Sequence, residues 1–245
     1  MGPEQLKETL ESLISGQIGL SDAMSALTGA TSHGQLDIDR LARTGQSEAI
    51  FGEGKTPQQI IDFAKVLYSN KQPVLCTRVD PTTSEMVRNA LPDIQYHTEA
   101  KCLHWRPNIP WKSIGKAGIV CAGTTDLPVA HEAQLTLEML GHKSDLYVDV
   151  GVAGIHRLFE KLPSIREKSV LIVIAGMEGA LPSVVSGLVS APVIATPTSV
   201  GYGANLQGLT AMLSMLSSCS PGIGTVNINN GYGAAKLAGR ILELR

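Results

Sequence analysis

Residues 169–182 read Ser169-Val-Leu-Ile-Val-Ile-Ala-Gly-Met-Glu-Gly-Ala-Leu-Pro182, an apolar run that ends in a glycine-bearing turn. The unbroken apolar stretch from Val170 to Ala175 is typical of a strand that is buried on both faces. A helix-length segment over 178–190 follows the turn. A buried strand that leads directly into a helix predicts a parallel sheet covered by helices, and therefore an α/β fold.

The same strand-and-helix unit repeats along the chain from Lys116 onward. Because strands and helices alternate strictly, this part of the chain is expected to form one parallel sheet with helices on both faces. The predicted strands are 117–122, 145–150, 169–175, 192–196 and 223–228, and the predicted helices are about 126–141, 154–161, 178–190, 204–217 and 231–244.

The N-terminal part of the chain has a less regular pattern. Helices are predicted over 3–15 and 56–69, a strand over 73–77, and a hairpin from 94–98 and 100–105. Two prolines interrupt the segment 106–113, which therefore predicts a domain boundary. We expect a smaller helical and α/β domain over 1–114 and a parallel-sheet domain over 115–245.

The composition narrows the class of protein. The 245 residues include 20 basic and 22 acidic side chains, so the formal net charge of −2 argues against a nucleic-acid binder. The apolar runs are too short to span a membrane, and the N-terminus has no apolar signal core. The cysteines are widely spaced, which indicates reduced thiols and a cytoplasmic protein. They are Cys76, Cys102, Cys121 and Cys219.

Glycine-bearing turns follow three of the predicted strands, at Gly123, Gly176 and Gly231. In a parallel sheet, the turns that follow the strands meet at one edge, where helix N-termini present amide groups to anions. The turns contain neither a complete P-loop nor a complete dinucleotide fingerprint. They predict an anionic ligand without identifying it.

Four motifs make the chain resemble PurE, the carboxyaminoimidazole ribonucleotide mutase family, whose domain is flavodoxin-like. They are Gly123-Thr-Thr-Asp126, Gly154-Ile-His-Arg157, Ile172-Val-Ile-Ala-Gly-Met-Glu-Gly-Ala-Leu-Pro182 and Ala191-Pro-Val-Ile-Ala-Thr-Pro197. The third motif departs from the PurE pattern, since it is two residues shorter, lacks the histidine and contains Glu178. The resemblance implies a flavodoxin-like fold for the C-terminal domain and assembly as a homo-octamer.

Other segments resemble the LarB family, the nicotinate adenine dinucleotide carboxylase/hydrolases that begin synthesis of the nickel-pincer nucleotide of lactate racemase. They are Asp39-Arg40, Arg43-Thr-Gly45, Glu48, Phe51-Gly-Glu-Gly-Lys-Thr-Pro57 and Ser218-Cys219-Ser-Pro-Gly222. The resemblance implies carboxylation of the pyridinium ring and cleavage of the phosphoanhydride, giving pyridinium-3,5-biscarboxylate mononucleotide and AMP. Carbon dioxide or bicarbonate is the co-substrate, and NAD is a candidate non-productive ligand.

This chemistry assigns roles to four side chains. Cys219 is the expected nucleophile, because a thiolate can add to an electron-poor ring and leave again. His156 or Asp126 would take the ring proton. Glu178 would orient water or hold Mg²⁺ for anhydride cleavage, or else stabilise a helix dipole. No organic cofactor is implied.

The remaining site predictions concern substrate binding. Arg43, Lys55 and Arg78 are candidate clamps for phosphate or carboxylate groups. The motif residues expected to contact the substrate are Thr44, Gly45, Gly123, Thr124, Thr125, Arg157, Gly176, Met177, Gly179 and Gly231.

Two other functions stay open at this stage. One is a PurE-type mutase or carboxylase, against which the missing histidine and the N-terminal extension count. The other is a non-catalytic module that senses a dinucleotide and would need no thiol.

Overall fold

The computed structural model describes residues 3–108, 110–112 and 115–244. The chain divides into two compact units, Met1–Ile109 and Pro110–Arg245. The sequence predicts the domain boundary between residues 114 and 115. Residues 113–114, which adjoin it, lie outside the described residues. None of the described helices is long and apolar enough to cross a membrane.

The N-terminal unit combines short helices with a small mixed sheet. Its elements are α1 (Pro3–Ile14), α2 (Leu20–Thr28), β1 (Ala30–Thr31), β2 (Gly34–Gln35), α3 (Arg40–Thr44), β3 (Ile50–Phe51), α4 (Pro57–Ser69), β4 (Val74–Thr77), α5 (Pro81–Ala90), β5 (Gln95–His97) and β6 (Cys102–Trp105). The main sheet has the order β3-β4-β6-β5. Strands β5 and β6 pair antiparallel, which confirms the predicted hairpin.

The C-terminal unit has the predicted alternation of strands and helices. Its elements are β7 (Ala117–Cys121), α6 (Leu127–Met139), β8 (Ser144–Tyr147), α7 (Ile155–Arg166), β9 (Val170–Ala175), α8 (Leu181–Ser186), β10 (Val193–Pro197), α9 (Leu209–Leu216), β11 (Ile223–Thr225) and α10 (Gly231–Glu243). Short 3₁₀ turns cover Thr124–Asp126 and Val152–Gly154. The helix predicted over 204–217 begins only at Leu209, because Leu206 and Gln207 have left-handed backbone conformations.

All neighbouring strands of this unit are parallel, in the order β11-β10-β9-β7-β8. When the strands of this unit are numbered from 1 in chain order, the sheet order read from the β8 edge is 2-1-3-4-5. This is the flavodoxin-like arrangement. The predicted fold class is therefore confirmed. The chain reverses direction across the sheet between β7 and β9, and the turns after these two strands flank that switch point.

The sheet is buried on both faces because its strands are apolar at successive positions. Ile119, Ile172 and Ile194 pack on the face covered by α6 and α10. The next residues in each strand point the other way, toward α7, α8 and α9. Two apolar layers therefore fix the sheet and leave its carboxyl edge to be formed by loops.

Candidate active site

The loops at the carboxyl edge of the parallel sheet contain strained backbone positions. Non-glycine residues with positive φ follow β8, β9, β10 and β11; they are Asp149, Met177, Leu206, Gln207 and Asn229. Such conformations cost free energy and cluster at functional sites. This edge is therefore the candidate site in the C-terminal unit, in agreement with the prediction from the glycine turns.

The turn after β7 is organised by the carboxylate of Asp126. Asp126 Oδ2 accepts a hydrogen bond from Gly123 N at 3.1 Å, and Oδ1 accepts one from the Thr198 hydroxyl at 2.5 Å. Burial raises the pKa of Asp126 above its ordinary value, although both donors act to lower it. Thr124 and Thr125 are exposed in the same turn. The Asp126 carboxylate therefore stabilises the turn, and the side chains of Thr124 and Thr125 are exposed on it.

Cys121 lies directly below this turn and is fully buried. Its thiol donates to Gly123 O at 3.2 Å. Burial, reinforced by the charge of Asp126, raises the pKa of Cys121 to about 12. A thiol that stays protonated at neutral pH is a poor nucleophile, so Cys121 is a core residue, as the sequence predicted.

The turn after β9 requires glycine because backbone and side chains approach it closely. A Cβ on Gly176 would lie 2.3 Å from Val200 O and 2.7 Å from the Thr198 hydroxyl oxygen. Met177 N donates to Val200 O at 2.7 Å, and Asn205 Nδ2 donates to Met177 O at 3.0 Å. The turn is therefore fixed against the loop that follows β10.

Glu178 is exposed within that turn, and Met177 beside it is 38% exposed. Gly179 follows with φ of +69°, and a Cβ there would lie 2.7 Å from Ala211 O. The turn thus presents one carboxylate to solvent at the carboxyl edge. An exposed carboxylate can orient water or bind Mg²⁺ together with substrate phosphates.

The segment after β8 brings His156 and Arg157 to the same edge, at the start of α7. His156 is exposed. Arg157 forms an ion pair with Asp149, and it folds across Gly154, where a Cβ would lie 2.6 Å from Arg157 Nε. Arg157 is thus oriented by Asp149 while its guanidinium stays partly exposed, as a clamp for an anion requires.

Cys219 is exposed, in contrast to the three other cysteines, which are buried. It lies in the loop between α9 and β11. Ser183 and Ser218 hydroxyls are 2.8 Å apart, and the Ser186 hydroxyl donates to Pro221 O at 2.6 Å, so the loop is held against α8. The prediction of an exposed thiol outside the core is confirmed.

The loop with Cys219 lies at the amino edge of the sheet. Val193 N, at the start of β10, donates to Gly222 O at 3.0 Å. Thr198, which binds Asp126, follows five residues later along extended chain, a span of about 16 Å. The loop with Cys219 and the turn that holds Asp126 therefore lie at opposite edges of the sheet, and the joint action of Cys219 with the glycine turns stays a prediction.

Gly231 has a packing role, and its predicted role in substrate binding stays a prediction. A Cβ at this position would lie 2.2 Å from Val129 O in α6. The free amides at the start of α10 are also occupied, because Tyr232 N donates to Glu132 Oε2 and Gly233 N donates to Asn230 Oδ1. Two of the amides at this helix N-terminus are therefore satisfied within the protein.

Three predicted residues in the N-terminal unit have local structural roles. Arg43 forms a two-pronged ion pair with Asp37, and this contact lowers the pKa of the Asp37 carboxyl. The Thr44 hydroxyl donates to Arg40 O at 2.8 Å. Gly45 ends α3 with φ of +73°. All three residues therefore have a structural role in α3 or at its end.

Lys55 and Arg78 lie close together beside β3. Lys55 Nζ donates to Phe51 O at 2.7 Å, while Arg78 pairs with Glu53 at 3.3 Å and lies 5.5 Å from the centre of the Phe51 ring. Phe51 is 51% exposed. The structure brings these two cations together, and their role in binding an anion stays a prediction.

Sequence reasoning did not select Thr198 or Asn205. Both are buried and both join loops at the carboxyl edge. Both are polar residues in positions that the sequence could have indicated: Thr198 directly follows the strand β10, and Asn205 lies in a glycine-rich loop. Their partners are 72 and 28 residues away, so the pattern could not show what they bind.

Two family models match the chain. One, described as a LarB/PurE-like N-terminal domain, matches residues 29–107, and one described as AIR carboxylase matches residues 116–245. An uncharacterised protein of Methanocaldococcus jannaschii is 44% identical over 218 residues, which cover 86% of this chain and 84% of that protein.

Curated enzymes match the C-terminal region. The N5-carboxyaminoimidazole ribonucleotide mutase of Thermotoga maritima is 31% identical over 135 residues, 53% of this chain and 76% of the mutase. The mutase of Pyrococcus horikoshii is 33% identical over 131 residues, 52% of this chain and 72% of the mutase. A crystal structure of a Treponema denticola PurE2 variant covers 53% of this chain and 80% of that chain, with 24% identity and a TM-score of 0.45.

Proposed function

The chain belongs to the LarB family, which joins a LarB/PurE-like N-terminal domain to an AIR carboxylase domain, and on this premise we propose that it is a nicotinate adenine dinucleotide carboxylase/hydrolase. At the coarser level, the matches place it in the PurE/LarB group of carboxylase-related enzymes. The observation that carries the finer proposal is the exposure of Cys219 in a braced loop, while the three other cysteines are buried.

The proposed reaction begins at this thiol. The Cys219 thiolate adds to ring position 4 of the pyridinium, and the ring becomes a neutral dihydropyridine whose position 5 is an enamine carbon. That carbon forms a bond to the carbon of carbon dioxide. A base then removes the proton from position 5, and the bond to sulfur breaks with return of the electron pair to the thiolate. The net change replaces one ring hydrogen with a carboxylate and releases one proton.

His156 and Asp126 are the two candidates for the base. His156 is exposed at the start of α7, so it can approach a bound ring without rearrangement. Asp126 is 3% exposed and both of its oxygens accept hydrogen bonds within the protein. These contacts favour His156 as the group that takes the proton and Asp126 as the group that orders the turn.

Glu178 is proposed to serve the second reaction, in which water attacks a phosphorus of the anhydride and AMP leaves. Its carboxylate is exposed at the carboxyl edge, where it can accept a proton from the attacking water. Mg²⁺, which commonly binds through one or two carboxylates plus substrate phosphates, would be held there by Glu178 and would neutralise phosphate charge.

We propose that a second copy of the chain completes the site, because the loop with Cys219 begins at the amino edge of the sheet and Glu178 lies at the carboxyl edge. We place the ring at the carboxyl edge of one protomer, next to the thiol of its neighbour. An apolar stripe on and just before α9 supports such an assembly, because its side chains are 37–66% exposed; they are Leu206, Leu209, Leu213 and Leu216. A homo-octamer of the kind implied by the PurE resemblance would cover this stripe.

The experiment that tests the reaction incubates the protein with nicotinate adenine dinucleotide and bicarbonate and follows the products by mass spectrometry. We expect AMP and a dicarboxylated mononucleotide, and a covalent adduct of the protein with the pyridine dinucleotide. Cys219→Ser should form neither the adduct nor the carboxylated product, because an unactivated hydroxyl is a much weaker nucleophile. Normal carboxylation by this variant would rule out the covalent mechanism.

The shared site is tested by mixing two inactive variants. Cys219→Ser removes the nucleophile and Glu178→Gln removes the carboxylate, so neither variant should make the complete product alone. When the two are co-expressed, a site can combine Glu178 from one copy with Cys219 from another. We expect about a quarter of the native activity in random assemblies, because the two edges of a site are drawn independently. The two variants mixed after separate purification are the control, because there an intermediate released by one can be completed by the other without a mixed assembly. Equal activity in the two mixtures, or none in the co-expressed one, would argue against a shared site.

A purine-type mutase is the second candidate, favoured by the 31% and 33% identity to N5-carboxyaminoimidazole ribonucleotide mutases. Turnover of N5-carboxyaminoimidazole ribonucleotide in place of the dinucleotide would establish it. A protein that turns over neither substrate but binds the dinucleotide would be a sensing module.

A further inference from the structure

Thr198 occupies the point where three loops of the carboxyl edge meet. It is fully buried, one residue beyond the end of β10. Its hydroxyl donates to Asp126 Oδ1 at 2.5 Å, in the turn after β7. Its amide donates to Ala175 O at 3.0 Å, where β9 ends. One side chain and its backbone therefore connect the turns that follow β7, β9 and β10.

Two glycines in the neighbouring loops lie so close to Thr198 that neither position has room for a side chain. A Cβ on Gly176 would lie 2.7 Å from the Thr198 hydroxyl oxygen, and a Cβ on Gly208 would lie 2.6 Å from Thr198 O. Gly208 also has φ of +94°, which favours glycine. A side chain on either glycine would clash with Thr198, so the two loops can lie this close to Thr198 only with glycine at these positions.

We propose that Thr198 is a positioning residue for the reaction proposed above: its hydroxyl fixes the Asp126 carboxylate, and Asp126 in turn fixes the turn that presents Thr124 and Thr125 to the dinucleotide. This inference rests on the proposed function for its substrate. It assigns Thr198 no contact with the reacting atoms, because the residue is buried beneath the turns.

The reason a hydroxyl is needed lies in the burial of Asp126, which is 3% exposed. Each carboxylate oxygen has one donor from the protein, Thr198 for Oδ1 and Gly123 N for Oδ2. Removal of the Thr198 hydroxyl leaves Oδ1 without that donor in a site from which water is excluded, which is costly for a carboxylate. The carboxylate would then turn away or take up a proton, and the turn would lose its brace.

The chain contains a matched control two residues earlier, within β10 itself. Thr196 is also fully buried, and its hydroxyl has no hydrogen-bond partner among the described residues. Thr198→Val and Thr196→Val both replace a buried hydroxyl with a methyl group, at positions two residues apart. The Thr198 change removes a hydrogen bond to a carboxylate, whereas the Thr196 change removes an unpaired group.

The experiment measures kcat and KM for carboxylation of nicotinate adenine dinucleotide in the native protein and three variants. We expect Thr198→Val to lower kcat/KM by about 10- to 100-fold, as loss of a hydrogen bond to a charged group would. Thr198→Ser should restore near-native values because it keeps the hydroxyl, and Thr196→Val should match the native protein. Equal loss in the two valine variants, or no rescue by serine, would overturn the proposal.

Two further measurements keep the outcome decisive. If Thr198→Val does not fold, the comparison of Thr198→Ser with Thr198→Ala isolates the hydroxyl with less change in volume. Hydrogen exchange at Gly123 N, which needs no substrate, should accelerate in the variants that lack the hydroxyl and not in Thr196→Val. A native protein inactive on the dinucleotide would refute the proposed function, while unchanged exchange at Gly123 would refute the brace itself.

Discussion

Glu132 Oε2 in α6 accepts a hydrogen bond of 3.1 Å from Tyr232 N at the start of α10. Glu132 is only 6% exposed, so a buried carboxylate occupies the place where an anion would otherwise approach this helix. The contact joins residues that are 100 positions apart in the chain. It explains why a glycine turn that follows a strand of the parallel sheet, and so resembles a ligand site in the sequence, serves to pack two helices.

The first prediction concerns Gly231, which lies at this contact. Gly231→Ala should lower the free energy of unfolding by about 1–3 kcal/mol, because the new methyl group would meet Val129 O at 2.2 Å. Urea denaturation measures the change. Gly224→Ala is the control, since a Cβ there meets no atom within 4 Å. Equal stability of both variants would contradict the close packing of α10 on α6.

The second prediction concerns thiol reactivity. In the native protein at pH 7.5, iodoacetamide should label Cys219 first, because the other cysteines are buried. Burial raises the pKa of Cys76 and of Cys121 to about 12, so these thiols stay protonated as well as shielded. Intact mass should show a single rapid addition, with the remainder appearing only in denaturant. Rapid labelling that persists in Cys219→Ser would contradict the burial of the other three.

The third prediction concerns the pH dependence of stability. His142 is 2% exposed, and burial, aided by the charge of Lys112, lowers its pKa below 6.5 although Glu243 opposes this. Below about pH 6.5 the unfolded chain therefore binds a proton that the folded chain does not, and stability falls as pH falls. Thermal unfolding between pH 7.5 and 5.5 should show a smaller loss of stability in His142→Gln than in the native protein.

An unchanged slope in His142→Gln would mean that burial of this histidine contributes nothing to acid sensitivity. His104 also has a pKa lowered by burial, so part of the native slope should remain.

The fourth prediction concerns the apolar stripe on α9. Leu213 is 52% exposed at its centre, and a charge placed there would be desolvated if a second copy covered the stripe. Leu213→Asp should therefore lower the molar mass measured by light scattering and abolish carboxylation, while the separated protomer stays folded. Met86→Asp, at an equally exposed position in the other unit, should leave the assembly unchanged. A native protein that is already monomeric would contradict the shared site.

The sequence by itself determined the fold of the C-terminal unit. The three central strands there are short apolar runs and every strand is followed by a helix, so one parallel sheet covered on both faces buries these side chains. The hairpin of β5 and β6 was also readable, because two short strand patterns flank one turn. The motifs around Gly123, Gly176 and Cys219 located the candidate segments for the same reason: each is contiguous in the chain.

Only the tertiary structure decided which of these segments can meet. Local spacing does not record the direction of a loop relative to the sheet, so it could not show that Cys219 lies at the amino edge and Asp126 near the carboxyl edge. Nor could it show that Gly231 packs on Val129 or that Thr198 binds Asp126. Hydrogen bonds and close packing between residues far apart in sequence arise only when the sheet has formed, because the parallel strands then bring their ends together.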